Sequence, residues 1–370
     1  MARAVLVSGH VYPSKRRAGF HFIAEALHAP GWEVTFFTAA LSKLSRLKND
    51  YRLNLFGEHP PNRLELIREG FRSYIWYTNW HPANLRSAIF NVLSRPIFSR
   101  YGRLPLGEME DVIRSANLLI FESSPGLLLF ERFKQLNPGA RRVYRISDDL
   151  RFLRNHPLVI EAEDRLAPQF ELVSAPCQYI FRRFSHLPTA RLHYHGIRKD
   201  LFDKPSESPY HDDRTVNVVF TGNAWFDSYF LARAARLFPD WRFHIFGAIA
   251  DLPSATNVTP YGECPFTETI PYIRHADIGL QNLIYRPGAE AFTDSLKVLQ
   301  YSYCKLPIVM PEFLRSSREN VFYYRPGDDA TIRDALTAAN KMDRTTVSTA
   351  DIHTWDELAA ILAGHSPDRI

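Results

Sequence analysis

Two neighbouring aspartates are the residues of this chain best placed for proton transfer. Asp148 and Asp149 directly follow Arg142–Ile146, a segment with the composition of a buried strand. A carboxylate at the carboxyl end of a parallel strand can take a proton from a substrate hydroxyl. Paired aspartates after a strand also cap the following helix in many proteins, and the two residues can divide these roles.

A second group of residues predicts an anion site in the later half of the chain. Thr221–Asn223 follows a strand and precedes a helix, so its backbone N–H groups can meet an anion at a helix N-terminus. Further along, Asp294 or Ser295 can cap a helix whose first turn contains Lys297. A lysine there opposes the positive helix end, which favours a diphosphate between them, although lysines also start helices without any ligand. Gln300 follows one turn later, near the same face.

Three basic residues near the amino terminus extend the predicted site. His10 ends the first strand, and Arg16 and Arg17 follow it. We expect them to line the same cleft as Asp148 and to favour an anionic ligand, although a solvated basic loop has the same composition. Another pair, His193 and His195, has the spacing of metal ligands but no nearby third ligand, so a structural role is favoured.

Several motifs of common enzyme classes are absent. The sequence contains no GxGxxG, Walker A, Asp-x-Asp, GxSxG or HExxH pattern. We therefore expect no bound cofactor and no metal ion. The three cysteines are widely separated, which excludes a disulfide framework and fits a reducing compartment.

These residues need a scaffold, and the pattern of the chain predicts two α/β domains. Short apolar strands alternate with helical segments in both halves, which is typical of parallel sheets. The acidic, proline-containing stretch 203–213 has the composition of a linker. The predicted organisation is an N-terminal domain at 1–202, the linker at 203–213, a C-terminal domain at 214–350 and a final segment at 351–370. Both domains are expected to be Rossmann-like and to face each other across a cleft. The final segment contains an amphipathic helix that is expected to pack back across this cleft.

Charge divides the chain in the same way. Residues 1–200 carry 29 Lys+Arg and 18 Asp+Glu, a net charge of +11, whereas residues 201–370 carry 16 and 22, a net charge of −6. A basic half suits nucleic acid, an anionic membrane surface or an anionic substrate, and it can also be a solvated surface. No apolar run has the length of a membrane span and no signal peptide is recognised, which predicts a cytoplasmic protein.

The ordered motifs of the chain resemble one known family. The similarity runs from the first strand to about Gly327, and each motif is weak alone while their order and spacing are specific. The family is the GumK-type glucuronosyltransferases of xanthan-type exopolysaccharide biosynthesis. The segments that carry the resemblance are Ser8–His10, Lys15–Ile23, Leu44–Lys48, Phe121–Ser123, Val143–Asp148, Phe226–Asp227, Tyr261–Glu263, Tyr272–Ala276 and Asp294–Tyr301.

The resemblance implies a GT-B glycosyltransferase of inverting type that moves glucuronic acid from UDP-glucuronate to a mannose on a polyprenyl-diphosphate-linked oligosaccharide. Asp148 matches the family's catalytic base. The matches on the nucleotide side are Lys297, Ser295, Gln300, Glu263 and Asp227. Where the family has methionines at the nucleotide, this chain has Ala224 and Leu296, and a functional glutamate of the family falls at about Ile180. Gly222 and Asn223 complete the predicted donor site, and Asp149 the predicted acceptor side.

The expected partners follow from the same resemblance. They are a UDP-sugar, a lipid-linked oligosaccharide and the anionic inner face of the plasma membrane, where the chain would be peripherally bound. The membrane side would be the basic domain, with Trp76, Trp80, Arg86, Arg95, Arg100 and Arg103. Two alternatives stay open: a GT-B transferase with another UDP-sugar, such as glucose, and a non-catalytic nucleic-acid-binding protein. No helix-turn-helix, zinc-finger or RNP pattern supports the latter, so we expect no nucleic-acid partner.

Overall fold

The computed structural model describes residues 1–210 and 214–365, and the chain folds into two compact units. Unit 1 contains Met1–Pro176, Ile180–His193 and Trp355–Ile370, and unit 2 contains Cys177–Tyr179 and Tyr194–Thr354. Part of the predicted linker, residues 211–213, lies outside the described residues.

Unit 1 is built around one sheet, whose strands alternate with helices as the sequence pattern predicts. Its order is β3-β4-β2-β1-β5-β6-β7-β8, parallel except for the β3–β4 hairpin. The strands are β1 (Arg3–Ser8), β2 (Glu33–Ser42), β3 (Leu64–Arg68), β4 (Phe71–Thr78), β5 (Leu118–Glu122), β6 (Arg141–Arg145), β7 (Leu172–Ala175) and β8 (Ala190–Leu192). The helices in this part of the chain are α1 (Gly19–His28), α2 (Lys43–Leu47), α3 (Ala88–Phe98), α4 (Met109–Arg114), α5 (Phe130–Leu136), α6 (Pro157–Leu166) and α7 (Gln178–Phe184).

Unit 2 repeats this architecture with a fully parallel sheet. Its order is β11-β10-β9-β12-β13-β14. The strands are β9 (Asn217–Thr221), β10 (Arg242–Phe246), β11 (Val258–Gly262), β12 (Ile278–Leu280), β13 (Ile308–Pro311) and β14 (Val321–Tyr324). The helices are α8 (Lys199–Asp203), α9 (Ser228–Leu237), α10 (Phe266–His275), α11 (Leu296–Tyr303) and α12 (Asp329–Asn340).

The last helix, α13 (Trp355–Ala363), belongs to unit 1 although it follows unit 2 in the chain. Trp355, Leu358 and Leu362 are buried in one apolar cluster with Phe20 of α1. The Trp355 ring stacks on Phe22 with centroids 5.1 Å apart. The amphipathic pattern of this segment therefore reflects a face that completes the core of unit 1.

The boundary between the units lies earlier than the predicted end of the N-terminal domain at 202. The chain passes into unit 2 at Tyr194. The reason is that α8 packs in unit 2, where Phe202 is 3% exposed within an apolar cluster that also contains Ile270 and Ile273 of α10. Residue 203, predicted as the first residue of the linker, ends α8.

Within the described residues, no helix combines the length and the apolar character that crossing a membrane requires.

Candidate functional site

In unit 1, polar residues meet where the strand order changes direction. β1 lies between β2 and β5, and β6 follows β5, so the carboxyl ends of these strands form the crevice where open α/β sheets bind ligands. An open cavity of about 760 Å³ lies there. His10 follows β1, Glu122 ends β5, and Asp148 follows β6, and all three line the cavity.

Glu122 is the centre of a hydrogen-bond network at the base of this cavity. It is 3% exposed, and its carboxylate accepts hydrogen bonds from the Ser8 hydroxyl at 2.5 Å, the Gly9 N–H at 3.1 Å and the Ser147 hydroxyl at 2.8 Å. His10 Nε2 lies 3.5 Å from Glu122 Oε1. One buried carboxylate thus joins the loops after β1 and β6.

Asp148 and Asp149 have different surroundings. The Asp148 N–H donates to Ser123 Oγ at 3.1 Å, while its carboxylate receives no hydrogen bond from the described parts of the chain. Asp149 is 4% exposed; its Oδ1 accepts the Arg151 N–H at 2.8 Å and lies 3.4 Å from Arg183 Nη1. Asp149 therefore fixes the turn that follows, and Asp148 is the aspartate available to a ligand.

The environment of Asp148 also changes its acidity. Burial raises the pKa of the Asp148 carboxyl, the negative charge of Glu122 raises it further, and His10 acts in the opposite direction. A carboxylate with a raised pKa is a stronger base than an ordinary aspartate.

The two predicted cleft arginines do not line this cavity. The Arg17 guanidinium donates to Glu25 Oε1 at 2.9 Å and lies over the Tyr12 ring. Arg16 packs over the ring of Tyr51, 4.6 Å from its centroid. Tyr51 lines the cavity, but neither arginine does.

Unit 2 has its own pocket, at the carboxyl end of β9. Since β9 lies between β10 and β12, this is again the point where the strand order reverses. The pocket has a volume of about 360 Å³. Its lining includes seven residues of the predicted donor site, namely Gly222, Asn223, Glu263, Ser295, Leu296, Lys297 and Gln300.

Two glycines allow the backbone to close tightly around this pocket. Gly222 and Gly247 have φ of +140° and +136°, values that favour glycine. A Cβ at Gly222 would lie 2.9 Å from Lys297 Nζ, and one at Gly247 would collide with the Gly222 carbonyl. Side chains at either position would therefore displace the lysine or the loop that faces it.

Lys297 has an amino group that pairs with no carboxylate of the described residues. Its Nζ lies 4.0 Å from the centroid of the Phe220 ring, and no described carboxylate forms an ion pair with it. Burial lowers the pKa of Lys297 to about 7. A bound anion would restore the charged form.

The N-terminus of α11 opens into the same pocket without a side-chain cap. Ser295 occupies the N-cap position, but its hydroxyl instead accepts a hydrogen bond from Gln281 Nε2 at 3.1 Å. Asp294 is directed away: it accepts from Ser316 Oγ at 3.2 Å and from the Gln178 N–H at 3.3 Å. The first N–H groups of α11 therefore remain available to a ligand, next to Lys297.

Two residues of the predicted donor site do not line the pocket. Asp227 is the N-cap of α9, where its Oδ1 accepts the Phe230 N–H at 3.0 Å. Ala224 is exposed on the loop before that helix. For Asp227 the geometry gives a structural explanation, since N-cap aspartates stabilise helices.

The His-x-His pair is divided between the units, with His193 in unit 1 and His195 in unit 2. In unit 1, His193 Nδ1 lies 3.1 Å from Ser174 Oγ. No group of three or more His, Cys, Asp or Glu side chains suited to a metal ion occurs in the described residues.

Sequence reasoning missed two features of unit 1. Glu122 was noted only as part of the Phe121–Ser123 segment. Its position at the end of a buried strand could have identified it as a candidate site residue. The other is helix α3, on which Ile89, Phe90, Val92, Leu93 and Ile97 are between 53% and 71% exposed. By contrast, the predicted surface residue Trp76 is buried, and its Nε1 donates to the Pro105 carbonyl at 3.0 Å.

Two comparisons with known protein sequences give a consistent result. Residues 6–176 match the model of the family described as glucuronosyltransferase GumK, N-terminal domain. The UDP-glucuronate:glycolipid 2-β-glucuronosyltransferase of Xanthomonas campestris pv. campestris is 29% identical over 343 residues, which cover 92% of this chain and 84% of that protein.

Solved structures identify the fold. Sucrose-phosphate synthase from Thermosynechococcus elongatus superimposes with a TM-score of 0.61 at 14% identity, covering 98% of both chains. Anabaena HepE in complex with UDP gives the same TM-score and identity, covering 98% of this chain and 95% of that one. Both are GT-B proteins, as the two parallel-sheet units predict. The N-terminal half of the chain thus matches the GumK family model, and the chain as a whole is similar to a glucuronosyltransferase over 92% of its length and has the GT-B fold.

Proposed function

We propose that this protein transfers glucuronic acid from UDP-glucuronate to a sugar hydroxyl of a lipid-linked oligosaccharide. The observation that supports UDP as the nucleotide is the Lys297 amino group, which has no carboxylate partner in the described residues, beside the uncapped N-terminus of α11. Such a pair of positive groups suits a diphosphate. The name of the Xanthomonas relative supports glucuronate as the sugar and a glycolipid as the acceptor. The family resemblance implies a mannose on a polyprenyl-diphosphate carrier.

In the proposed reaction Asp148 is the general base. Its carboxylate takes the proton of the acceptor hydroxyl while that oxygen attacks the anomeric carbon of the donor sugar. The bond from this carbon to the phosphate oxygen breaks, and its electron pair leaves with UDP. Attack opposite the leaving group inverts the α-linked donor to a β-linked product, and the β linkage in the relative's name supports this outcome.

The departing diphosphate needs positive charge, and unit 2 supplies it. Lys297 and the free N–H groups of α11 lie in one pocket with the Gly222 backbone. Hydrogen-bond donors that are already in place stabilise the negative charge that develops on a leaving group, because the surrounding dipoles need not reorient during the reaction. We therefore propose that the reaction needs no divalent cation, and that Glu263 and Gln300 contact the donor from the edge of the pocket.

A donor panel tests this proposal. We expect calorimetric titrations to show binding of UDP and UDP-glucuronate, weaker binding of UDP-glucose, and none of GDP-mannose. Transfer to a mannosyl glycolipid should require UDP-glucuronate and persist in excess EDTA. Preferential transfer of glucose would change the donor and keep the enzyme class, and binding of none of the four nucleotides would contradict the proposal.

We further propose that unit 1 docks on an anionic membrane through α3. Five apolar side chains of this helix are exposed, and Arg86, Arg100 and Arg103 lie at or beyond its ends. Arg95, also predicted there, pairs with Glu161, and Trp80 packs near Phe98. An exposed apolar helix face flanked by cations is typical of interfacial helices.

Vesicle binding tests the docking proposal. In a Phe90→Asp/Leu93→Asp variant, co-sedimentation with vesicles containing phosphatidylglycerol is expected to fall at least about tenfold, because two apolar contacts become charged. Leu66→Asp is the matched control, since Leu66 is equally exposed on β3 in unit 1. Equal losses in both variants, or none in either, would refute docking through α3.

A further inference from the structure

Two cations on the wall of the unit 1 cavity have no carboxylate partner. Lys48 follows α2, Arg154 lies in the loop before α6, and both line the cavity that contains Asp148. Within residues 1–210 and 214–365, neither forms an ion pair. Their neighbour Arg52 differs, because it pairs with Asp50 at 2.6 Å and also donates to the Gly9 carbonyl. Lys48 and Arg154 are therefore the cations of this wall that remain available to a ligand.

One asparagine connects the two segments that carry these cations. Lys48 Nζ lies 3.5 Å from the Asn84 carbonyl oxygen, and Asn84 Nδ2 donates to the Arg154 carbonyl at 2.8 Å. Asn84 also accepts a hydrogen bond from Asn91 of α3 at 3.2 Å. Asn84 thus connects both cation-bearing segments to α3, the helix with the exposed apolar face.

The backbone holds Arg154 in a defined place. Its φ is +50°, a conformation that non-glycine residues adopt at a cost. Hydrogen bonds from Leu153 N to Asp149 O and from Asn155 N to Leu150 O, both 3.0 Å, close the turn around it. This turn begins beside Asp148, so a ligand bound by Arg154 would be positioned relative to the base.

We infer that Lys48 and Arg154 bind the diphosphate of the acceptor lipid. The inference rests on the proposed function, in which the acceptor hydroxyl must reach Asp148 while its lipid stays in the membrane. A diphosphate carries at least two negative charges and accepts charge-assisted hydrogen bonds from both side chains. The donor's diphosphate has a separate site in unit 2, at Lys297.

Binding of farnesyl diphosphate tests this inference without any transfer reaction. The titrations use full-length protein carrying Lys297→Met, so that the unit 2 pocket binds the probe more weakly. We expect Lys48→Ala/Arg154→Ala to weaken binding at least tenfold, and Arg63→Ala/Arg114→Ala, which removes two exposed unit 1 cations outside the cavity, to leave it unchanged. Unchanged binding in the first variant, equal losses in both, or no binding of farnesyl diphosphate at all would overturn the inference.

Two further arms separate this result from a failure of the proposed function. Inorganic pyrophosphate reports whether the anion alone is recognised: weaker binding of pyrophosphate in Lys48→Ala/Arg154→Ala supports the inference, and pyrophosphate binding unaffected by this change opposes it.

In transfer assays on the wild-type background, the same variant should raise KM at least tenfold for a diphosphate-linked mannosyl lipid and leave KM unchanged for an uncharged alkyl mannoside. Equal rises for both acceptors would contradict the site. A wild-type protein that binds farnesyl diphosphate but transfers to neither acceptor would refute the proposed function alone.

Discussion

An Asp148→Asn variant is expected to lose between about a hundredfold and ten-thousandfold in kcat, the contribution typical of a general base. The amide keeps the shape of the side chain and cannot accept the proton. UDP affinity should stay within about threefold of wild type, because Asp148 lies in unit 1 and the predicted nucleotide pocket in unit 2. Steady-state kinetics with calorimetric UDP titration measures both quantities.

Asp149→Asn is the matched control for this experiment. Asp149 accepts from the Arg151 N–H and contacts Arg183, so its loss should lower Tm as well as activity. Asp148→Asn should keep the wild-type Tm or raise it, since it removes a partly buried charge that no described residue pairs with. An Asp148→Asn protein that folds normally and retains near-normal kcat would disprove the base assignment.

The acidity of Asp148 adds a pH signature. The pKa of Asp148 is raised, so its carboxylate becomes protonated at a higher pH than that of an ordinary aspartate. The protonated form cannot act as the base. The acid limb of the kcat/KM profile should therefore lie above the usual aspartate range.

A Lys297→Met variant is expected to weaken UDP binding roughly tenfold to a hundredfold, the effect of losing a charge-assisted hydrogen bond. Methionine keeps an unbranched side chain and removes the ammonium. Lys341→Met, which changes an exposed lysine at the end of α12, is the matched control and should bind UDP normally. Wild-type UDP affinity in Lys297→Met would refute the phosphate role.

Lys297 also predicts how UDP binding depends on pH. Its pKa of about 7 in the free protein means that half of the molecules carry the ammonium at neutral pH. A bound diphosphate favours the charged form, so binding above pH 7 takes up a proton and weakens as pH rises. Calorimetry in buffers of different ionisation enthalpy measures the number of protons taken up when UDP binds. This number should be smaller for Lys297→Met, because the variant has no lysine at this position to take up a proton.

The same shift affects the free protein. The pKa of Lys297 is lower in the folded than in the unfolded chain, so the unfolded chain binds more protons between about pH 7 and 10.5. This contribution to the free energy of unfolding therefore rises with pH across that window. It should be absent in Lys297→Met.

Much of the unit 2 pocket could be predicted from sequence, because strand ends are local features. Gly222 and Lys297 lie next to segments whose periodicity is clear, and parallel topology brings strand ends to one edge. Asp227 could not be interpreted in this way. An aspartate before a helix can cap it or contact a ligand, and only the Phe230 N–H contact distinguishes the two.

The unit 1 cavity was harder to predict, because its arrangement depends on pairings between distant residues. Arg17 pairs with Glu25 and does not line the cavity, and nothing in the local sequence signals that contact. Likewise the choice between Asp148 and Asp149 depends on Arg183, which lies on α7, far from them in the sequence. The exposed apolar face of α3 was not predicted either, because the sequence alone does not tell which side of a helix is buried.

Helix α13 has a consequence for how the protein is made. Its apolar face is part of the core of unit 1, yet every residue of unit 2 up to Thr354 is synthesised before it. During translation, the surface that receives Trp355 and Leu358 stays open to water and to chaperones while the rest of unit 1 has long left the ribosome. The core of unit 1 is therefore completed only after all of unit 2 has been synthesised, and a chain truncated before α13 would leave part of the unit 1 core uncovered.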